Sequence, residues 1–313
     1  MGVVTPIVAG GNGSGAVEVV APAKLNLALL VGPVRADGYH EIASLMVPLT
    51  LADTVSVERT PGQGLAVAGE VAPGADNLAA RIVREVEARL ERVLEVRITI
   101  TKRVPAGGGL GGGSSDAAAT LVALERLFDL DLAPRLRLEV AAAVGSDVPF
   151  FLWPGPQLAM GRGQVLKAVE LPELHLVVAV PNLALATREV YGWHDEETTD
   201  LAAFVPRARL LSQRAQAART AGGVAALIHN DLEACVAAHC PQVGALRDRL
   251  LAEGALAAAM TGSGAAVFGL FADAHGASRA RAALAPTRAW HVTELQPAAF
   301  PGGDAPDWRP EPQ

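Results

Sequence analysis

Residues 104–124 read VPAGGGLGGGSSDAAATLVAL, and six of them are glycine: Gly107, Gly108, Gly109, Gly111, Gly112 and Gly113. Without a Cβ, such a loop can take positive φ and let another group reach its backbone. On its N-terminal side Val96, Ile98 and Ile100 alternate with Arg97, Thr99 and Thr101, the period of a strand. Pro105 cannot extend that ladder and ends it. On its C-terminal side Ala117, Leu121, Leu124 and Phe128 recur at helical spacing. Ser114 or Ser115 is the expected helix cap, with Asp116 in the first turn. Strand, glycine loop and helix N-terminus together make a place for anions, phosphate above all, because free N–H groups and the helix dipole meet there.

Two better-known loops do not fit. A Walker A loop ends in Gly-Lys-Ser/Thr, whereas Gly113 is followed directly by Ser114. A G-x-G-x-x-G match at Gly107, Gly109 and Gly112 is nearly unavoidable among so many glycines and carries little weight. A flexible linker is disfavoured, since the glycines are wedged between a clean strand and a clean helix.

PAGGGLGGGSSDAAA resembles the phosphate-binding motif of the GHMP kinases, the superfamily of galactokinase and of the homoserine, mevalonate and phosphomevalonate kinases. APAKLNL, RADGYHEI, VGSDVPFFL and MTGSGAAVF are similar to its other motifs and come in its order, over about residues 19–295. The resemblance implies an α+β fold of two domains. The N-terminal one, 17–169, would be ribosomal protein S5 domain 2-like and bind ATP; the C-terminal one, 170–299, would be ferredoxin-like. It is strongest to the branch whose acceptor is 4-diphosphocytidyl-2-C-methyl-D-erythritol. That implies ATP and Mg²⁺ with phosphorylation of the acceptor's 2-hydroxyl. A homoserine- or mevalonate-type kinase is the alternative.

Composition agrees with a globular enzyme. The chain has 313 residues, enough for two domains, and is 50% hydrophobic but only 4% aromatic, so its cores must be built of Ala, Val and Leu. A net charge of −7 argues against a nucleic-acid partner and means that a phosphorylated substrate must be drawn in by local groups. Only Lys24, Lys102 and Lys167 are lysines; arginine serves elsewhere. Cys235 and Cys240 lack metal-type spacing and read as idle thiols of a reducing cytoplasm. No basic residue precedes Lys24, as a signal peptide would need, and no apolar run reaches membrane-spanning length, so a cytoplasmic location is expected. Monomer and homodimer both stay open.

Along the chain, residues 1–16 and 300–313 read as disordered tails. Strands are expected at 17–31, 39–49, 54–59 and 65–68, with Leu25, Leu27 and Leu29 on one face of the first and Lys24 and Asn26 on the other. A helix is expected at 77–92, capped by Asp76, and another at 136–144, closed by Gly145. Residues 157–169 read as a hairpin. In the second half strands are expected at 175–180, 255–260, 267–271 and 290–295, and helices at 187–193, 206–219, 225–239, 243–252 and 277–284. Strands and helices mix without regular alternation, which favours α+β over a doubly wound sheet.

Lys24 is a charge in an apolar strand, and Asp147 in Gly-Ser-Asp-Val-Pro is placed to cap a helix. The resemblance implies more. Lys24 would orient and polarise the acceptor hydroxyl, and Asp147 would be the base that takes its proton. Pro105, Ala106, Gly107, Gly108, Gly109, Leu110, Gly111, Gly112, Gly113, Ser114 and Ser115 would hold the ATP phosphates. Asn77 and Lys102 would lie around adenine and ribose. Thr261, Gly262, Ser263 and Gly264 would pack on the phosphate loop as a third motif. Asn26 would bind acceptor hydroxyls, and Tyr39, His40 and Tyr191 the cytosine, by stacking and a base-edge hydrogen bond. No carboxylate stands out as a metal ligand, so Mg²⁺ follows from the reaction alone.

Overall fold

The structure, a computed structural model, describes residues 15–69, 77–195 and 200–293, without the side chains of 291–293. Two long antiparallel strands, β1 (Ala16–Val34) and β2 (His40–Arg59), form its spine. β1 begins inside the stretch expected to be a tail, and β2 is one strand where the sequence suggests two. The strand runs on through residues 50–53, with Asp53 opposite Ala21 and Ala52 opposite Pro22. The ladder slips between Pro22 and Lys24, beside a residue that cannot donate to it.

Along β2, one stretch pairs with β4 (Val96–Thr101) and the other with β5 (Gln157–Gly161). β3 (Ala66–Gly69) lies parallel to β4, and β6 (Val165–Ala168) closes a hairpin with β5. Helices α1 (Leu78–Leu90), α2 (Gly112–Phe128) and α3 (Pro134–Val144) cover this sheet, with Ile82, Val86, Ile98, Leu121 and Phe150 in the shared core. β4 shows why: Val96, Ile98 and Ile100 are buried while Arg97, Thr99 and Thr101 are exposed.

A second, antiparallel sheet has the order β11-β7-β10-β9, from β7 (His175–Val180), β9 (Ala257–Met260), β10 (Val267–Phe271) and β11 (Arg288–Thr293). That order is ferredoxin-like. Leu25, Leu27, Leu45 and Val47 of the first sheet share a core with Leu176 and Phe268 of the second and with Phe204 and Leu211 of a helix, α5 (Leu201–Ala217). The expected leucine face of β1 is split. A register shift between Asn26 and Ala28 sends Leu29 and Val31 to a third cluster with Val177, Val267 and Phe271.

Several expected boundaries move. Helix α2 starts at Gly112 behind a left-handed Gly111 without a side-chain cap, so neither Ser114 nor Ser115 caps it and Asp116 lies beyond the first turn. Asn77, not Asp76, caps α1, and Gly145 is extended (φ −175°). Asp200 caps α5, which holds Pro206 in its interior. The expected helix at 225–239 is instead α6 (Ala221–Ala225), β8 (His229–Asn230) and α7 (Glu233–His239). There Asn230 and Asp231 bond to backbone through their side chains, which competes with a helix. β8 adds to the first sheet, parallel to β1. Helices α4 (Thr187–His194), α8 (Pro241–Ala252) and α9 (Ala274–Ala283) lie near their expected places. Residues 1–14 and 294–313, with most of both tails, are outside the described residues.

Asp53 anchors the approach to the glycine loop. It shares the buried face of β2 with Leu51, Val55 and Val57 and has no exposed surface. One oxygen accepts the N–H groups of Arg103 (2.5 Å) and Val104 (2.8 Å); the other accepts Lys102 Nζ (2.5 Å). Asp53→Ala removes these acceptors and leaves buried donors unpaired. The expected loss is about 3–5 kcal/mol, read from urea unfolding; a loss under about 1 kcal/mol would mean that Asp53 does not hold this corner.

Candidate active site

The glycine loop follows from its dihedrals. Gly107, Gly109 and Gly111 have φ of 73°, 74° and 71°, with Gly108 and Leu110 between them outside that region. Such alternation turns successive N–H groups toward one concave side. The loop is also gripped. A Cβ on Gly109 would stand 2.5 Å from Thr261 O, and one on Gly111 would stand 2.9 Å from both Lys24 Cγ and Phe151 Cζ. Ala266 N donates to Gly108 O (3.3 Å), and Lys24 N donates to Leu110 O (2.9 Å). The segment Thr261 to Gly264 therefore packs on the first loop.

Lys24 is buried at 4% exposure. Its Nζ donates to Asn26 Oδ1 (2.6 Å) and lies 3.6 Å from Asp147 Oδ2. Asn26 is fixed in turn: its amide donates to Ser44 Oγ (2.7 Å), which donates to Ala28 O (2.7 Å), and its backbone N donates to Thr261 Oγ1 (2.9 Å). Asp147 caps no helix; the 3₁₀ turn at Pro149–Leu152 starts from Val148 without a side-chain cap. Its carboxylate is partly exposed and faces a cavity of about 870 Å³. The walls of that cavity include Lys24, Asn26, Asp147, Gly109, Gly111 and Gly262 with Tyr39, His40 and Tyr191.

The aromatic end differs in detail from the expected clamp. Tyr39 is half exposed, with the Arg162 guanidinium 5.1 Å from its ring centre. His40 packs on Tyr191 at 4.9 Å, and both its ring nitrogens are engaged, Nδ1 with Gly32 O (2.9 Å) and Nε2 with Asp195 Oδ1 (3.1 Å). A base edge therefore meets a ring already in use. Burial, and then the charge of Asp147, push the Tyr191 hydroxyl pKa far up, so it stays a neutral donor.

Asn77 and Lys102 stand apart from this cavity. Asn77 Oδ1 accepts Ala79 N as the α1 cap (2.9 Å). Lys102 is shared between Asp53 and Asp116 (2.8 Å) behind the loop. Pro105 and Ala106 line a second cavity, of about 830 Å³, against Val180 and Leu183. Sequence reasoning missed Asp53, Ser44 and Arg162. For Asp53 a signal existed, a lone acid at the second of four alternate positions otherwise filled by Leu51, Val55 and Val57; Ser44 and Arg162 carried none.

Two carboxylates share one ammonium at Lys102, so the group carries a net negative charge out of water. Burial, the largest influence, and Asp53 nearby raise the Asp116 pKa to about 6 against the attraction of Lys102. Ser115 Oγ and Asp116 Oδ1 are buried without a hydrogen-bond partner among the described residues.

Fold and site define a small-molecule kinase of the GHMP class. Family models described as the GHMP kinases N terminal domain and the GHMP kinases C terminal match residues 77–155 and 213–288. A protein of Anaeromyxobacter dehalogenans named 4-diphosphocytidyl-2-C-methyl-D-erythritol kinase is 43% identical over 277 residues, 86% of this chain and 85% of that one. A crystal structure of 4-(cytidine 5'-diphospho)-2C-methyl-D-erythritol kinase superposes with a TM-score of 0.73 at 36% identity, covering 88% of this chain and 98% of that one. The homoserine kinase of Cytophaga hutchinsonii shares the fold (TM-score 0.72, 16% identity, 92% and 96% covered). The chain belongs to the 4-diphosphocytidyl-2-C-methyl-D-erythritol kinase family. Among the described residues no helix is long and apolar enough to cross a membrane.

Two expected outcomes follow from this geometry. In Gly111→Ala the new methyl group meets Lys24 and Phe151 and requires a left-handed alanine, so turnover should fall at least about tenfold, as small displacements of catalytic groups do; wild-type turnover would show that Lys24 tolerates displacement. For Asp116 the folded state binds the proton more tightly than the unfolded chain. Its contribution to stability therefore falls as pH rises from about 4 to about 6. Between pH 7 and pH 5 the wild type should gain about 1 kcal/mol relative to Asp116→Asn in urea unfolding; parallel pH profiles would contradict the raised pKa.

Proposed function

We propose that the chain transfers the γ-phosphoryl group of ATP to the 2-hydroxyl of 4-diphosphocytidyl-2-C-methyl-D-erythritol, in the non-mevalonate route to isoprenoid precursors. The observation that carries the reading is Lys24 paired with Asp147 beside the alternating glycine loop, at the wall of one cavity. Phosphoryl transfer asks little covalent chemistry of a protein; positioning and charge stabilisation do most of the work. Asp147, the exposed partner, accepts the hydroxyl proton as the oxygen attacks phosphorus. Lys24, fixed by Asn26 and by Asp147, orients that oxygen and offsets charge developing on the transferred group. The loop N–H groups and the start of α2 hold the phosphates. Gly113 packs on Leu78 beside Asn77, and the adenosine end is assigned to that side of the loop.

Mg²⁺ fits the oxygen donors there. Ser115 Oγ is buried without a partner, and among the described residues no three ligating side chains cluster. That suits an ion held mainly by nucleotide phosphates and water. When bound, it would neutralise phosphate charge. At the far end of the cavity, Tyr39, His40 and Tyr191 supply the aromatic surface that a cytosine base needs and that homoserine or mevalonate does not.

The test has two arms. CDP should raise the melting temperature more than pantothenate or homoserine does, and ADP release with ATP and Mg²⁺ should require the diphosphocytidyl acceptor; turnover with homoserine or mevalonate alone would refute the acceptor. In Asp147→Asn, kcat at saturation should fall by roughly 10²–10⁴, the size of a general-base contribution, with ATP and CDP affinities nearly unchanged. An unchanged kcat would remove Asp147 from the reaction.

A further inference from the structure

Residues 229–233, His-Asn-Asp-Leu-Glu, touch no substrate cavity, yet three of their side chains are bound to backbone that forms the site. Asn230 is buried, and its amide donates to two carbonyls, Met260 O (2.8 Å) and Gly262 O (2.9 Å). Its Oδ1 accepts Leu232 N (2.9 Å), which fixes the orientation of the amide. Glu233 Oε2 accepts Met260 N (2.6 Å), while Arg247 holds its other oxygen (2.7 Å). Asp231 Oδ2 accepts Val31 N in β1 (2.8 Å), and its second oxygen takes Arg207 and His229. The segment thus joins β1, the strand of Lys24 and Asn26, to the loop after β9.

What that loop does gives the junction its meaning. A Cβ on Gly262 would stand 3.3 Å from Lys24 Nζ, 3.4 Å from Asn26 Oδ1 and 3.2 Å from Gly109 O. Thr261 accepts Asn26 N, and Ala266 N reaches Gly108 O. Movement of the 260–262 backbone therefore moves the roof over the ammonium and the support of the phosphate loop together.

We propose that Asn230, with Glu233, is a positioning residue for phosphoryl transfer: it clamps the third glycine loop so that Lys24 and the phosphate loop keep their relative placement. This rests on the kinase reading above. Asn230 lies outside the cavity lining; it acts by donating to two carbonyls of this segment, Met260 O and Gly262 O. Because the clamp sets the placement of Lys24 against the phosphate loop and lies away from the aromatic end of the cavity, its loss appears in kcat and not in the acceptor KM.

The informative change is Asn230→Asp, isosteric and still able to accept Leu232 N, but presenting an anionic oxygen to two carbonyls. At a temperature where circular dichroism shows it folded, kcat should fall about 10–100-fold, as sub-ångström to ångström misplacement does, with the acceptor KM within about threefold. Glu233→Ala, milder and at the edge of the same clamp, should lose kcat in the same direction, and Glu233→Gln, which keeps an oxygen for Met260 N, should restore it. Amide exchange of 105–113 should quicken in Asn230→Asp while that of 274–283 stays unchanged. Near-wild-type kcat in both Asn230→Asp and Glu233→Ala, or a loss confined to melting temperature, overturns the proposal. If Asn230→Asp does not fold, Glu233→Ala decides. If the wild type itself turns over no acceptor, the kinase reading fails, and the exchange arm still tests the coupling of this clamp to the phosphate loop.

Discussion

Lys24 is held in a space that only glycines leave open. Gly111 lies against its aliphatic stem and Gly262 against its ammonium, and neither position accepts a Cβ without a collision or close crowding. An ammonium taken from water needs partners on every side. Here Asn26 and Asp147 supply them, and Asn26 is itself locked by Ser44 and Thr261. The glycines thus serve two ends at once. They let backbone approach phosphate, and they let two loops close over one buried charge.

That constraint explains why the two halves cannot be independent. Thr261 and Gly262 follow β9 of the second sheet, while Lys24 and Asn26 lie in β1 of the first. Packing agrees, since Leu25, Leu27 and Leu45 share a core with Leu176 and Phe268. β8 goes further, adding residues of the second half to the edge of the first sheet. A site made where two sheets meet is rigid in proportion to the interface behind it.

Much of this was legible in the sequence because it is local. The strand at 96–101 is read from alternation, the loop from its glycines and the helix after it from spacing, and each is found where periodicity puts it. The expected cap failed because Gly111 turned left-handed and began α2 earlier, so that no side-chain acceptor was used. The helix expected at 225–239 failed for a different reason. Asn230, Asp231 and Glu233 are satisfied by backbone far along the chain, at positions 31, 260 and 262, which no local pattern encodes. Likewise no local pattern joins Lys102 to its partners Asp53 and Asp116, which come from another strand and the next helix. Long-range pairing decides polar roles, and single-chain periodicity carries only the apolar ones.

The rarity of lysine acquires a reason at these sites. The chain has 26 basic residues, and arginine fills nearly all the exposed positions. Two of the three lysines are enclosed between carbonyl or carboxylate oxygens at the glycine loop. A guanidinium is a planar fork suited to bidentate contacts, and it needs more room than an ammonium. At Lys24 the room is bounded by Gly262 and Gly111, and at Lys102 by Gly112, whose Cβ would stand 3.2 Å from Nζ. An ammonium has three donors that can point in separate directions. Asn26 takes one of these donors at Lys24, while Asp147 stands 3.6 Å away as an ion pair, so donors remain for an oxygen in the cavity, which is the geometry that the proposed transfer requires and that an arginine, filling the same space with a plane, would not provide.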